Sequence, residues 1–297
     1  MRYDAGEVIT AMITPFNEDL SIDYASLENL INRLIKTGSD AILVAGTTGE
    51  TPTMTHEEEY DLFRFCKTII NGRAKLILGA GSNSTDTAVR TSRKAKELGA
   101  DAILSVVPYY NKPSQKGMYE HFSSIAKSVD LPVILYNIPG RTGVNMQPAT
   151  IARLANDYKN IVAVKQSNAD LDLISDMKQI CPDDFAIYSG DDSLTLPMMA
   201  LGARGVISVA SHIVGEDIKE MVKAYKSGDN KKALAIHTKL YPIFKKLFMA
   251  PNPVPVKESL AHFGIIKNYV RKPLINLDSE ERAELFATVD NYAYAIK

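Results

Sequence analysis

Cysteine is scarce in this chain: Cys66 and Cys181 are the only two in 297 residues. They fall far apart, in predicted helical segments. Neither a disulfide framework nor a cysteine metal cluster is expected, and two reduced thiols suit a cytoplasmic protein. The histidines offer no ligand set either. His56, His121, His212, His237 and His262 are scattered, without HxH or HExxH spacing, so no metal site is expected. No apolar run approaches the roughly 20 residues that span a bilayer. The N-terminus from Met1 to Glu7 lacks the charged and apolar regions of a signal peptide. Net charge is −1, with signs interspersed, so no basic face for nucleic acid or anionic lipid is implied. A Walker A pattern, a Gly-x-Ser-x-Gly elbow and any 20–50-residue repeat are also missing, which removes phosphate-loop, serine-hydrolase and solenoid readings.

What is there is a rhythm. Short β-branched runs at 8–13, 41–45, 76–79, 102–107, 133–137, 161–165, 185–189 and 205–209 give eight predicted strands. Several are apolar throughout, as parallel strands covered on both faces should be. Helical periodicity fills the gaps. Leu27, Leu30, Ile31, Leu34 and Ile35 share one face of the first helix. Thr55 and Glu58 have capping-box spacing, Ser84 or Thr85 caps the third helix, and Gly38, Gly72 and Gly99 stand where helices should stop. Eight strand–helix units in about 225 residues predict an α/β fold, a (β/α)₈ TIM barrel. A doubly wound sheet ranks below it. Its first strand should lead into a glycine-rich phosphate loop, and here it leads into Thr14-Pro15-Phe16-Asn17. Residues 1–228 are assigned to the catalytic barrel. Residues 229–297 are assigned to a C-terminal helical extension, with helices at 231–247, 255–263 and 279–296.

In such barrels the chemistry sits at the C-terminal ends of the strands. The sixth run, Ile161-Val162-Ala163-Val164, ends in Lys165. A lysine on an apolar strand needs a reason, because desolvating an ammonium is costly. Desolvation favours the neutral amine, which can attack a carbonyl to form a Schiff base. The plain alternative is a strand-end lysine whose head reaches water. The fifth strand carries Tyr136, either a proton-shuttling phenol at the barrel mouth or a half-buried aromatic. Gly46-Thr47-Thr48-Gly49 offers N–H groups and two hydroxyls that suit a small carboxylate, or it is an ordinary βα turn. Tyr109-Tyr110 between prolines is a rigid loop with exposed aromatics, which also suits an oligomer interface. Arg141 is a carboxylate partner or a solvated loop arginine. Asp191-Asp192 is a metal pair or a helix cap.

Taken in order, Gly46-Thr47-Thr48-Gly49-Glu50, Tyr109-Tyr110-Asn111-Lys112-Pro113, Tyr136-Asn137-Ile138-Pro139-Gly140-Arg141-Thr142-Gly143, Lys165 and Asn252-Pro253-Val254-Pro255-Val256-Lys257 resemble a known set. They are similar to the motifs of the pyruvate-dependent class I aldolase/lyase (N-acetylneuraminate lyase) superfamily. Within it the match is to the dihydrodipicolinate synthase family, over essentially the whole chain. The resemblance implies that Lys165 forms an imine with pyruvate and that Thr48 and its loop hold the pyruvate carboxylate. It implies a proton relay of Tyr136, Thr47 and Tyr110, with Tyr110 reaching in from a neighbouring subunit. Arg141 would receive the carboxylate of L-aspartate 4-semialdehyde. Gly190 and Ile207 would supply backbone around the lysine. No metal or organic cofactor is implied. The family serves diaminopimelate and lysine biosynthesis and is commonly tetrameric, a dimer of dimers, although dimers occur; a cytoplasmic homotetramer is expected.

Regulated family members bind lysine at a dimer interface. His56, Asn83 and Tyr109 keep part of that set, whereas Glu59 and Thr87 depart from it. Weak or absent lysine inhibition is therefore expected, because an unpaired buried ammonium is costly. Two other readings stand beside this one. A sister activity, N-acetylneuraminate lyase or a 2-keto-3-deoxy sugar acid aldolase, shares the lysine and tyrosine but calls for neutral groups where Arg141 stands. A catalytically silent barrel that senses an oxo acid is countered by the complete lysine–tyrosine–threonine set.

Overall fold

The computed structural model describes residues 2–296; Met1 and Lys297, the outer ends of the two predicted stretches, lie outside the described residues. All eight predicted strands form: β1 (Val8–Ala11), β2 (Ala41–Val44), β3 (Lys75–Gly79), β4 (Ala102–Val106), β5 (Val133–Asn137), β6 (Ile161–Gln166), β7 (Ala186–Ser189) and β8 (Gly205–Ser208). They follow sequence order around a closed parallel barrel. Most of their residues are buried on both faces, which is why the runs read as apolar rather than alternating. The strand ends move by a residue or two. One shift matters: β6 continues through Gln166, so Lys165 lies inside the strand and does not end it.

The helices are α1 (Tyr24–Lys36), α2 (His56–Ile70), α3 (Thr85–Leu98), α4 (Gln115–Ser128), α5 (Pro139–Thr142), α6 (Pro148–Asp157), α7 (Asp172–Ile180), α8 (Thr195–Ala200), α9 (Ser211–Lys226), α10 (Asn230–Lys246), α11 (Val254–His262) and α12 (Ser279–Val289). On α1, Leu27, Leu30, Ile31 and Leu34 are buried, while Ile35 at the margin of the stripe is half-buried. Thr55 and Glu58 complete the capping box of α2. Of the two candidates for α3, Ser84 is the cap, its hydroxyl accepting from the Thr87 N–H. Gly99 ends α3 with φ +76°, a left-handed turn that a side chain would strain. Cys181 falls one residue beyond α7, not in a helix, and Cys66 is buried in α2. No helix among the described residues is long and apolar enough to cross a membrane.

The predicted helix at 279–296 breaks. It is α-helical only to Val289 and then tightens into 3₁₀ turns over Asp290–Ile296. There the Arg33 guanidinium donates to the carbonyls of Ala295 and Ile296 at 2.7 and 3.1 Å, satisfying acceptors that the helical turn itself leaves over.

The chain divides into two compact units. One combines the residues through Gly6 with Leu76–Ile207. Within it Arg2 reaches Asp184 at 2.8 Å and the Ile161 carbonyl at 3.2 Å, tying the N-terminal strand-lead to β6. The other combines Glu7–Lys75 with the stretch from Ser208 onward. Within it Lys219 bonds both Asp40 and Glu7, at 2.6 and 3.1 Å.

Candidate active site

The first unit carries the lysine. Up to Val133 and Ile161, β5 and β6 pair in simple register. Ile134 then pairs with Ala163, leaving Val162 as an extra residue. A one-residue slip changes which side chains share a face. Because of this bulge Tyr136 lies level with Lys165 instead of Val164. The lysine Nζ stands 4.4 Å from the centre of the Tyr136 ring. Both residues are buried, at 6% and 7% exposure. Among the described residues the Lys165 amine has no hydrogen bond or ion pair. A buried amine held against an aromatic face, with no carboxylate to neutralise it, is placed for nucleophilic attack on a carbonyl.

Gly190 is needed beside it. A Cβ at that position would stand 1.9 Å from Ser167 Oγ and 2.9 Å from Lys165 Cε. Only glycine leaves room for the lysine stem and the hydroxyl together. Its N–H is fixed by the Gln166 carbonyl at 2.8 Å. Ser167 Oγ is buried and, among the described residues, has no hydrogen-bond partner. Nothing in the sequence singled it out, although its i+2 spacing from a strand lysine is a usable signal. Ile207 is buried on β8, within the same unit. Asp191 settles as a cap: its carboxylate accepts from the Ser193 N–H at 2.9 Å.

Asn137, fully buried at the end of β5, staples the following loop. Its amide donates to Asn145 Oδ1 at 2.7 Å and to Gln166 Oε1 at 3.1 Å, and its Oδ1 accepts from the Met146 N–H at 3.0 Å. The loop so held contains the short helix α5, from which Arg141 projects. Arg141 is exposed, and among the described residues its guanidinium has no partner. Tyr109 is 42% exposed and Tyr110 89%, with Tyr110 at φ +70°. Asn83 is half-buried and donates to the Tyr109 carbonyl at 3.2 Å.

In the second unit, Thr47–Gly49 forms one 3₁₀ turn after β2. Thr47 is half-buried and Thr48 buried. The Asn252 amide donates to Thr48 Oγ1 at 2.9 Å. Glu50 follows the turn with φ +59° and receives Lys257 Nζ at 2.6 Å. The same Nζ donates to the Thr14 carbonyl at 2.9 Å, and the Arg271 N–H donates to the other Glu50 oxygen at 2.8 Å. His56 is exposed on α2, with its Nδ1 3.0 Å from buried Glu59, whose carboxyl burial pushes upward against the pull of His56. Among the described residues no group of three His, Cys, Asp or Glu stands close enough to hold a metal ion.

A closed (β/α)₈ barrel with an unpaired buried lysine on its sixth strand and a tyrosine ring beside it is a lyase of the class I aldolase type. The model of the dihydrodipicolinate synthetase family matches residues 4–292, and the chain belongs to that family. It is 49% identical over 284 residues to the 4-hydroxy-tetrahydrodipicolinate synthase of Bacillus subtilis (strain 168), covering 96% of this chain and 98% of that one. The crystal structure of dihydrodipicolinate synthase from Aquifex aeolicus superposes with a TM-score of 0.95 at 46% identity, covering 97% and 98% of the two chains. The enzyme from Cyanidioschyzon merolae, solved with lysine bound, gives 0.95 at 43% identity, covering 98% and 99%.

Proposed function

We propose that this chain condenses pyruvate with L-aspartate 4-semialdehyde through a Schiff base on Lys165, as a 4-hydroxy-tetrahydrodipicolinate synthase of diaminopimelate and lysine biosynthesis. The observation that carries the reading is the buried Lys165 amine, without an ionic partner and 4.4 Å from the Tyr136 ring, in a chain of this family. The amine attacks the pyruvate ketone and water leaves. The imine nitrogen then accepts electrons, so a methyl proton is lost and an enamine forms. The enamine attacks the aldehyde of the second substrate. That substrate's amine closes the ring on C2 and releases Lys165. Each proton transfer needs a positioned hydroxyl, and Tyr136, Thr47 and Tyr110 are assigned to it. Thr48 holds the pyruvate carboxylate, Arg141 the carboxylate of the semialdehyde, and Gly190 and Ile207 line the lysine. Residues 1–228 carry the chemistry in this reading, and 229–297 are a helical extension.

The assembly is a homotetramer, a dimer of dimers, in which Tyr110 completes the neighbouring site. Its 89% exposure in the single chain supports that role. A cytoplasmic setting goes with the reading, and the free thiols Cys66 and Cys181 support it. Lysine inhibits weakly or not at all. His56 is engaged by Glu59, and Thr87 brings no charge to a bound ammonium.

Borohydride reduction in the presence of pyruvate should add a three-carbon adduct to the peptide containing Lys165. A coupled assay with pyruvate and L-aspartate 4-semialdehyde, run beside a panel of sugar acids, should show turnover with the semialdehyde. Labelling at another lysine, or turnover only with a sugar acid, would sink the reading.

A further inference from the structure

We infer that Asn252, from the helical extension, is a positioning residue for pyruvate: its amide donates to the Thr48 hydroxyl and turns that hydroxyl's own hydrogen toward the bound carboxylate. The inference rests on the proposal that Thr48 holds that carboxylate. A threonine hydroxyl has one hydrogen to give and two lone pairs to receive. Here one lone pair is taken by Asn252 Nδ2 at 2.9 Å, and both residues are buried, at 8% and 4% exposure. Among the described residues nothing accepts the Thr48 hydrogen. A buried donor left unpaired is costly, so its retention points to a ligand that takes it up.

The direction of the bond follows from the groups around it. Among the described residues nothing pairs with buried Asn252 Oδ1. Turned the other way, the amide would accept from Thr48 and bury an NH₂ with both hydrogens unpaired. Buried orphan carbonyl oxygens are better tolerated than orphan N–H groups. With a carboxylate to take the Thr48 hydrogen, the orientation as it stands leaves one amide hydrogen unpaired rather than two, and Thr48 is the donor. The segment that carries Asn252 is itself pinned. Five residues on, Lys257 bonds Glu50 at 2.6 Å, at the far end of the Thr47–Gly49 turn. One contact fixes where the turn lies and the other fixes where its hydroxyl points.

A double-mutant cycle tests this. Asn252→Leu removes the amide at similar volume and should raise the KM for pyruvate about ten-fold, as expected for losing one oriented hydrogen bond to a charged group. The KM for the semialdehyde and kcat should stay within about two-fold. In a Thr48→Val background the same substitution should add nothing, because there is no hydroxyl left to orient. Additive effects in the cycle would overturn the inference and indicate a merely structural asparagine. An unchanged pyruvate KM in Asn252→Leu, with a raised one in Thr48→Val, would overturn it while leaving the role of Thr48 standing. An unchanged KM in Thr48→Val would overturn the underlying assignment and this inference with it. Where the leucine variant does not fold by circular dichroism, Asn252→Ala carries the same cycle with the same expected outcomes.

Discussion

Lys257 Nζ lies 2.6 Å from Glu50 Oε1, and neither side chain is exposed at all. The two residues are 207 positions apart in sequence. Taking both charges out of water is expensive, and further hydrogen bonds to each partner offset part of that cost. Lys257 also donates to the Thr14 carbonyl, and Glu50 also accepts from the Arg271 N–H. The Phe16 ring meets both cations, Lys257 at 4.3 Å and the Arg271 guanidinium at 4.6 Å. Burial pushes the Lys257 ammonium down to about 8, against the opposing pull of Glu50. Since Glu50 directly follows the threonine turn, this pair links the helical extension to a proposed substrate-binding element.

Removing one partner strands the other charge in the interior. Lys257→Met should therefore destabilise the protein by about 3–5 kcal/mol, and Glu50→Gln by a similar amount. The double variant should recover much of the loss, because no unpaired charge is then left buried. Urea unfolding at a fixed protein concentration decides it. Two single variants that unfold at the wild-type midpoint would mean the pair contributes nothing.

Gly190 sets the space for the nucleophile, and adding one carbon should show it. In Gly190→Ala the new Cβ meets Ser167 Oγ at 1.9 Å and Lys165 Cε at 2.9 Å, so the lysine stem must shift. A misplacement on the order of 1 Å commonly costs about 100-fold in rate. The variant should fold normally yet lose roughly that factor in pyruvate-dependent borohydride trapping. Adding Ser167→Ala relieves the tighter contact only, so recovery should be partial. Full activity in Gly190→Ala would show that the lysine does not need its observed position.

Much of the barrel was legible in the sequence because its strands are buried on both faces, which leaves continuous apolar runs of the right length. Lys165 stood out for the same reason: a lysine breaks such a run. The bulge at Val162 left no trace, since a valine inside β6 reads the same whether it is paired or extra. Long-range pairs were equally invisible. Asn252 meets Thr48 across 204 positions, and no local pattern encodes that. Ser167 looks like an ordinary loop residue until Gly190 is seen to press against it. The final helix was overextended because 290–296 keeps apolar spacing, and the change to 3₁₀ turns there leaves no local signal.

Arg141 is exposed, has no partner among the described residues, and sits on a loop that Asn137 holds in place. A guanidinium kept free on a fixed loop suits an incoming carboxylate. Arg141→Ala should raise the KM for L-aspartate 4-semialdehyde about ten- to a hundred-fold, the cost of about 1.5–3 kcal/mol for a charge-assisted pair. The KM for pyruvate should barely change. Equal effects on both substrates in steady-state kinetics would contradict the assignment.

The last prediction concerns acid. His212 is fully buried; its Nε2 accepts from the Ile13 N–H at 3.1 Å, so its Nδ1 is the nitrogen that donates to the Val209 carbonyl at 2.8 Å. Protonating Nε2 would set two donors face to face at the end of β1. Burial lowers the pKa from the ordinary 6.5 to about 4, although the Val209 carbonyl pulls the other way. Below 6.5 the unfolded chain takes up a proton that the folded one refuses until about 4. The contribution is thus fully present above 6.5, falls away as the pH drops toward 4, and is gone below it. Its size is on the order of 3 kcal/mol. Buried His121, lowered to about 4 by the same cause, adds to the loss in the same window. His212→Gln keeps a side chain able to accept from Ile13 but cannot titrate. Its stability should fall less steeply between pH 6.5 and 4 than that of the wild type, by close to one proton in the slope of unfolding free energy against pH. Identical slopes for the two proteins would show that His212 titrates no lower in the folded state than in the unfolded one.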